Sequence, residues 1–182
     1  FRIFNGGKGA NQAVGAARAG AETTFVSCIG QDVFSKGLLE NFQQDGIHTD
    51  YIFEIENSPT GTALIMVSDD AENCIGVAPG ANGKLNKQHI DAALPALKAA
   101  DWIVLQFEIP MPTVEYVLET AVALGKKVMV NPAPAARLSD DLLRHIHLLV
   151  LNETEAEVMT RITVEDDSLN QVADFLLDKG VS

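Results

Sequence analysis

Apolar and polar positions alternate along this chain in blocks of two periods. Residues 9–19 (GANQAVGAARA) are rich in alanine and predict a close-packed helix that Gly20 stops. TTFVSCIG (23–30) reads as a strand. Phe34, Leu38, Leu39 and Phe42 then recur at helical spacing, with Asp32 placed to cap that helix and Gly46 near its end. At 51–78 the texture changes. YIFEI (51–55), TGTALIMVS (60–68) and NCIGVA (73–78) are three β runs in succession, the last two joined by the turn-rich stretch Asp69, Asp70, Ala71, Glu72. Strands with no helix between them predict local antiparallel pairing.

After PGANGKLN the alternation resumes. A helix begins near Asn86 and is broken or kinked at Pro95. Strand WIVLQ (102–106), a helix over 113–124 ending at Gly125, strand VMV (128–130) and a short helix over 139–146 follow. Strand LLVL (148–151), a helix over 153–160 and an amphipathic helix over 167–179 closed by Gly180 complete the series. Repeated β-α units with short apolar strands predict an α/β fold: a doubly wound parallel sheet covered by helices on both faces. The 51–78 insert predicts a small β-sheet lid beside it. Residues 1–182 thus read as one α/β domain. The abrupt start without methionine, and a final KGVS that leads toward another strand, give the expectation of an incomplete domain.

Charge narrows the partners. The net charge of −12 and pI near 4.6 argue against nucleic acid, whose phosphates such a chain repels. Cys28 and Cys74 lie in strand-like runs, which fits a reduced, cytoplasmic protein better than a disulfide scaffold. No apolar run approaches membrane-spanning length, so no membrane partner is expected.

Ligands of open α/β sheets bind at the carboxyl ends of strands. Glu108 follows WIVLQ, Asn131 and Pro132 follow VMV, and Asn152 and Glu153 follow LLVL, so polar groups stand where three strands end. The loop Asn5-Gly6-Gly7-Lys8-Gly9, with Ala10 and Asn11 next, precedes the first helix. It reads either as a tight turn with a helix cap or as a cradle for a small polar ligand or anion. It lacks the Ser or Thr after the lysine that a P-loop needs. Glu108 is either a solvated loop residue or a fixed carboxylate suited to sugar hydroxyls. Asn152 with Glu155 three residues on is a capping-box variant, and the same helix start suits a nucleotide phosphate or its metal. Asp69-Asp70, Asp140-Asp141 and Asp166-Asp167 fit turns and first helical turns. His145 and His147 lack the further ligands a zinc site requires.

GGKGANQAV, TGTALIMV, GANGKL, VNPAPA and NETEAE, in this order, resemble the phosphofructokinase-B type family of sugar kinases over essentially the whole chain. The NPAPA and NETE pair narrows the resemblance toward the ribokinases of that family. The resemblance implies a doubly wound α/β domain with a lid, two lids often clasping into a homodimer. It implies transfer of the γ-phosphate of ATP to O5 of D-ribose, with Mg²⁺ and with a monovalent cation such as K⁺ as activator. It matches Gly7, Lys8 and Asn11, within the run that includes Gly9 and Ala10, to the ribose-binding positions, and Glu108 to a further sugar-binding carboxylate. Asn152 matches a nucleotide-phosphate contact, and Glu155 the glutamate that organises Mg²⁺ and phosphate, through water. Leu151 stands where these kinases often have proline. The family's Gly-Ala-Gly-Asp motif, with its aspartate base, does not occur in these residues, and a chain of these residues alone is expected to be inactive. Related kinases for deoxyribose, fructose or adenosine, and a non-catalytic sugar-binding protein on the same fold, are the alternatives.

Overall fold

The computed structural model describes residues 2–67, 73–165 and 167–181. The turn expected at 69–72 and Asp166 lie outside the described residues. The chain divides into two compact units, Phe1–Ala92 and Ala93–Ser182.

In the first unit, helix α1 (Lys8–Arg18) leads to strand β1 (Ser27–Gly30), helix α2 (Ser35–Gln44) and strand β2 (Ile52–Ile55). The expected strand over 23–30 is regular only in its second half. Before it, Thr24 makes a single parallel bridge to His48. Small residues on α1 let it pack closely. Ala13, Phe42 and Ile47 are buried together, with Ala10, Val14, Ala17, Phe25, Leu38 and Ile52 against them. Phe25 meets Phe42 edge-on, ring centres 5.4 Å apart at 75°, an arrangement worth roughly 0.5–1.5 kcal/mol beyond its buried area. Positive φ at Gly20 (95°) and Gly46 (75°) ends the two helices as the sequence indicates.

The expected antiparallel pairing is present, but over fewer strands than expected. Strands β3 (Thr62–Val67) and β4 (Asn73–Ala78) pair antiparallel, Ile65 opposite Ile75 and Met66 opposite Cys74. The 51–55 run does not join them. It is β2, parallel to β1, with Ser27 opposite Ile52 and Gly30 opposite Ile55. The reason is α2: it carries the chain back across β1, so 51–55 completes a β-α-β unit and turns Ile52 into the core. A turn with Asn57 at φ 55° then separates β2 from the hairpin. A short 3₁₀ helix, Gly80–Lys84, packs against β1 and β2, and α3 (Lys87–Ala92) follows.

In the second unit α4 (Leu94–Ala99) carries Pro95 in its first turn, where proline costs nothing, so the helix expected from Asn86 restarts there. Strands β5 (Trp102–Leu105), β6 (Lys127–Val130) and β7 (Leu148–Leu149) form a parallel sheet in that order. Between and after them run α5 (Met111–Ala123), α6 (Asp140–Leu143), α7 (Glu153–Thr160) and α8 (Leu169–Asp178). Leu105, Val128 and Val130 from the sheet and Val114, Val117, Leu118 and Ala121 from α5 are buried. Full burial of one such leucine contributes about 1.5–3 kcal/mol. Trp102 and Val104, which alternate with the buried Leu105, stay 44% and 41% exposed. The α/β class and parallel pairing are as the sequence indicates. No helix among the described residues is long and apolar enough to cross a membrane.

Candidate functional site

The site residues expected from sequence fall in both units. In the first, Gly7 holds φ 101° and ψ 139°, a conformation closed to residues with a side chain, and is the N-cap of α1. No side chain caps that helix start and no acidic residue stands in its first turn. The first hydrogen bond of the helix runs from Asn11 N–H to the Gly7 carbonyl at 2.8 Å. The N-terminus therefore presents the positive end of the helix dipole, and among the described residues no side chain makes a capping hydrogen bond to it. Lys8 and Asn11 are exposed; Gly9 and Ala10 are half-buried. Ala10 and Asn11 also line a groove of about 290 Å³ between α1 and α2, which Asn5, Gly6 and Phe42 border and the Arg18–Asp45 ion pair closes. Gly7, Lys8 and Gly9 are not part of that groove.

In the second unit the three polar strand ends stand side by side. Past β5, the backbone N–H of Phe107 bonds the Ala133 carbonyl, and that of Glu108 bonds Oε1 of the buried Gln106 at 3.2 Å. Glu108 is half-buried there. Past β6, Asn131 N–H bonds the Leu105 carbonyl at 2.9 Å. Past β7, Asn152 caps α7.

Glu155 and Asn152 form a reciprocal capping box. Asn152 Oδ1 accepts from Glu155 N–H at 2.8 Å, and Glu155 Oε2 accepts from Asn152 N–H at 3.0 Å. Asn152 Nδ2 adds a bond to Oε1 at 3.2 Å. Glu155 is buried, and a buried carboxylate requires such donors. A fourth bond comes from Asn131, whose Nδ2 reaches Glu155 Oε2 at 3.0 Å and the Val150 carbonyl at 2.9 Å. Asn131 thus joins β6, the end of β7 and α7 in one network. Sequence reading placed Asn131 at a strand end but did not assign it a role. Its signal was that position alone, because its partner lies 24 residues away. Among the described residues Oε2 of Glu155 accepts two hydrogen bonds and Oε1 one, so the carboxylate is held in a fixed orientation and Oε1 keeps acceptor capacity for a hydrated cation.

A cluster not foreseen as such lies in the first unit. Asp32 caps the start of α2 as expected, accepting from Phe34 N–H at 3.0 Å and Ser35 N–H at 3.2 Å. It also accepts from Thr60 N–H at 2.6 Å and Thr60 Oγ1 at 2.9 Å. The Thr60 backbone donor, then its hydroxyl and the Phe34 and Ser35 donors, hold the Asp32 carboxyl below its ordinary range against a partial desolvation. Burial pushes the Cys28 thiol up to about 11, so it stays protonated and unreactive.

The profile of the pfkB family carbohydrate kinases matches residues 1–181. A ribokinase from Haemophilus influenzae is 42% identical over 182 residues, which is 100% of this chain and 60% of that protein. A deoxyribokinase from Salmonella typhi is 36% identical over 184 residues, again 100% of this chain and 60% of that protein. The structure of Arabidopsis thaliana ribokinase complexed with ribose and ATP superposes with a TM-score of 0.85 at 30% identity, covering 97% of this chain and 58% of that one. The chain spans about 60% of the length of these curated relatives. A match over nearly every residue shows that the chain belongs to the pfkB family of carbohydrate kinases.

Proposed function

We propose that the whole protein is a ribokinase, which transfers the γ-phosphoryl group of ATP to O5 of D-ribose to give ribose 5-phosphate in the cytoplasm. The observation that carries this reading is the start of α1. Gly7 opens it by positive φ, no side chain caps it, and Lys8 and Asn11 stand at its mouth. That gives donors and an acceptor for a polyhydroxylated ligand. Its sequence relatives include ribokinases, and one structural relative was solved with ribose and ATP.

In this reading Gly7, Lys8 and Asn11, with Gly9 and Ala10 in the same first turn of α1, bind ribose hydroxyls, and Glu108 accepts from a further hydroxyl. Asn152, at the start of α7, meets a phosphate of ATP. Glu155 orders the Mg²⁺–phosphate shell through water, with Asn152 and Asn131 fixing its carboxylate. Mg²⁺ supplies charge neutralisation on the transferring phosphate. K⁺ is the expected monovalent activator. The β3–β4 hairpin covers the sugar with one face and meets the hairpin of a second copy with the other, giving a homodimer. Leu64, Ile65, Met66, Ile75 and Val77 are 51–63% exposed, and a lone hairpin cannot bury two apolar faces by itself.

The second reading, a deoxyribose kinase, is favoured by the 36% identity to a deoxyribokinase. Steady-state turnover of the whole protein with ATP and ribose, 2-deoxyribose, fructose or adenosine decides between them. The proposal expects the highest kcat/KM on ribose. A clear preference for another acceptor, or no turnover, would reject it.

A further inference from the structure

The hairpin's apolar faces are exposed, so packing on the rest of its unit does not hold its body in place. Its pose is set where its two strands leave the fold. There residues 58–60 are wedged between two glycines. A Cβ on Gly30 would lie 2.3 Å from the Ser58 carbonyl and 2.5 Å from Thr60 N; one on Gly80 would lie 2.3 Å from the Pro59 carbonyl. The Pro59 carbonyl also accepts from Ala81 N–H at 2.8 Å, which ties the entry of β3 to the exit of β4. The buried Thr60 hydroxyl accepts from Gly30 N–H at 3.1 Å and donates to Asp32 Oδ1.

We infer that Asp32 is a positioning residue whose carboxylate fixes the root of the β3–β4 hairpin to the corner between β1 and α2, and so sets how the lid meets the sugar. The effect on sugar binding rests on the reading of the hairpin as the sugar-covering lid. Helix capping alone accounts for the bonds from Phe34 and Ser35. It does not account for Oδ2, which is spent on Thr60 N–H at 2.6 Å. A carboxylate can accept at both oxygens, while an amide offers only one. Bonds to an ionised acceptor are also shorter and stronger than neutral ones. Asp32→Asn therefore keeps an oxygen for the cap and replaces the acceptor facing Thr60 N–H with a donor. It separates the cap from the clamp without changing size.

The test compares Asp32→Asn, Thr60→Val, Thr60→Ser and one control on each lid face, Met66→Ser and Ile65→Ser, in the whole protein. KM for ribose, KM for ATP, kcat and hydrogen exchange of the β3 amides are read. The clamp predicts faster β3 exchange in Asp32→Asn and Thr60→Val. It predicts a ribose KM raised roughly tenfold, equal to about 1.4 kcal/mol of binding, with ATP KM and kcat within about twofold. Thr60→Ser, which keeps the hydroxyl, restores parental values. Unchanged β3 exchange in folded Asp32→Asn overturns the clamp whatever the kinetics. A ribose KM raised by either lid-face control but not by Asp32→Asn overturns its role toward the sugar and leaves the lid reading standing. Faster exchange in Asp32→Asn with ribose KM unmoved in every variant rejects the lid reading and, with it, the proposed consequence for sugar binding.

Discussion

The side-chain amide of Asn131 donates to Oε2 of Glu155 at 3.0 Å, a bond that joins the end of β6 to the first turn of α7. The same nitrogen reaches the Val150 carbonyl, so one residue braces two chain segments. Asn131→Ala removes both bonds and leaves a buried carboxylate with one donor fewer. The expected loss is about 1–3 kcal/mol, read as a lowered Tm or denaturant midpoint. Asn131→Asp sets a second carboxylate against Glu155 and is expected to cost more, with part of the loss recovered at acidic pH as one carboxyl takes a proton.

Glu155 separates structure from chemistry. Glu155→Ala removes the acceptor for Asn152 N–H and for two side-chain amides. It is expected to destabilise by about 1–3 kcal/mol. Glu155→Gln keeps the shape but turns one oxygen into a donor facing donors, so it also lowers Tm, by less than alanine does. If Glu155 orders the Mg²⁺–phosphate shell, Glu155→Gln lowers kcat and raises the Mg²⁺ concentration needed for half-maximal turnover. A Tm loss with unchanged Mg²⁺ dependence would reduce Glu155 to a helix cap.

Both faces of this network show how far sequence alone reaches. Asn152 and Glu155 were legible because a capping box is local, and its spacing of three residues is written in the chain. The helix ends at Gly20, Gly46, Gly125 and Gly180 were legible for the same reason, each glycine taking a positive φ. Gly7 was legible as a conformational requirement, though the sugar came from family resemblance and not from the spacing. Asn131 was legible as a strand end only, since its bond to Glu155 spans α6 and β7. The pairing of β2 was misread because its neighbours in sequence are the lid strands, while its partner β1 lies across α2. Thr60 showed no local sign of its bonds to Asp32, 28 residues earlier. Local hydrogen-bond logic can be read from spacing; contacts closed by tertiary packing cannot.

Asp32 gives a pH signature. Its carboxyl is held below the ordinary value in the folded protein, chiefly by Thr60 N–H. A depressed carboxylate contributes stability that is present above the unfolded-state pKa of about 3.9 and lost as pH falls through the folded value. The parent is expected to melt above Asp32→Asn at pH 7, and the gap to narrow once pH drops below about 4. A gap that is constant from pH 7 to the lowest pH at which both fold would contradict this.

The two faces of the lid are predicted to do different work. In the hairpin register Ile65 opposes Ile75, and Met66 opposes Cys74, so Ile65 and Ile75 share one face while Leu64 and Met66 share the other. Charged substitutions at Ile65 and Ile75, or at Leu64 and Met66, are expected to shift the whole protein to monomer in one case and weaken ribose binding in the other. Sedimentation velocity and ribose titration check the pair. A dimer unaffected by either set would refute the clasp.

The central claim is that the start of α1, from Gly7 to Asn11, grips the sugar rather than a phosphate. The most direct measurement is calorimetric titration of ribose, and separately of ATP, into the whole protein and its Asn11→Ala and Glu108→Ala variants. The account predicts ribose binding weakened by roughly tenfold or more in each variant, the loss of one or more hydrogen bonds at about 1.4 kcal/mol per factor of ten, with ATP affinity nearly unchanged. Ribose affinity unchanged in both variants, or a loss that falls on ATP instead, would contradict it.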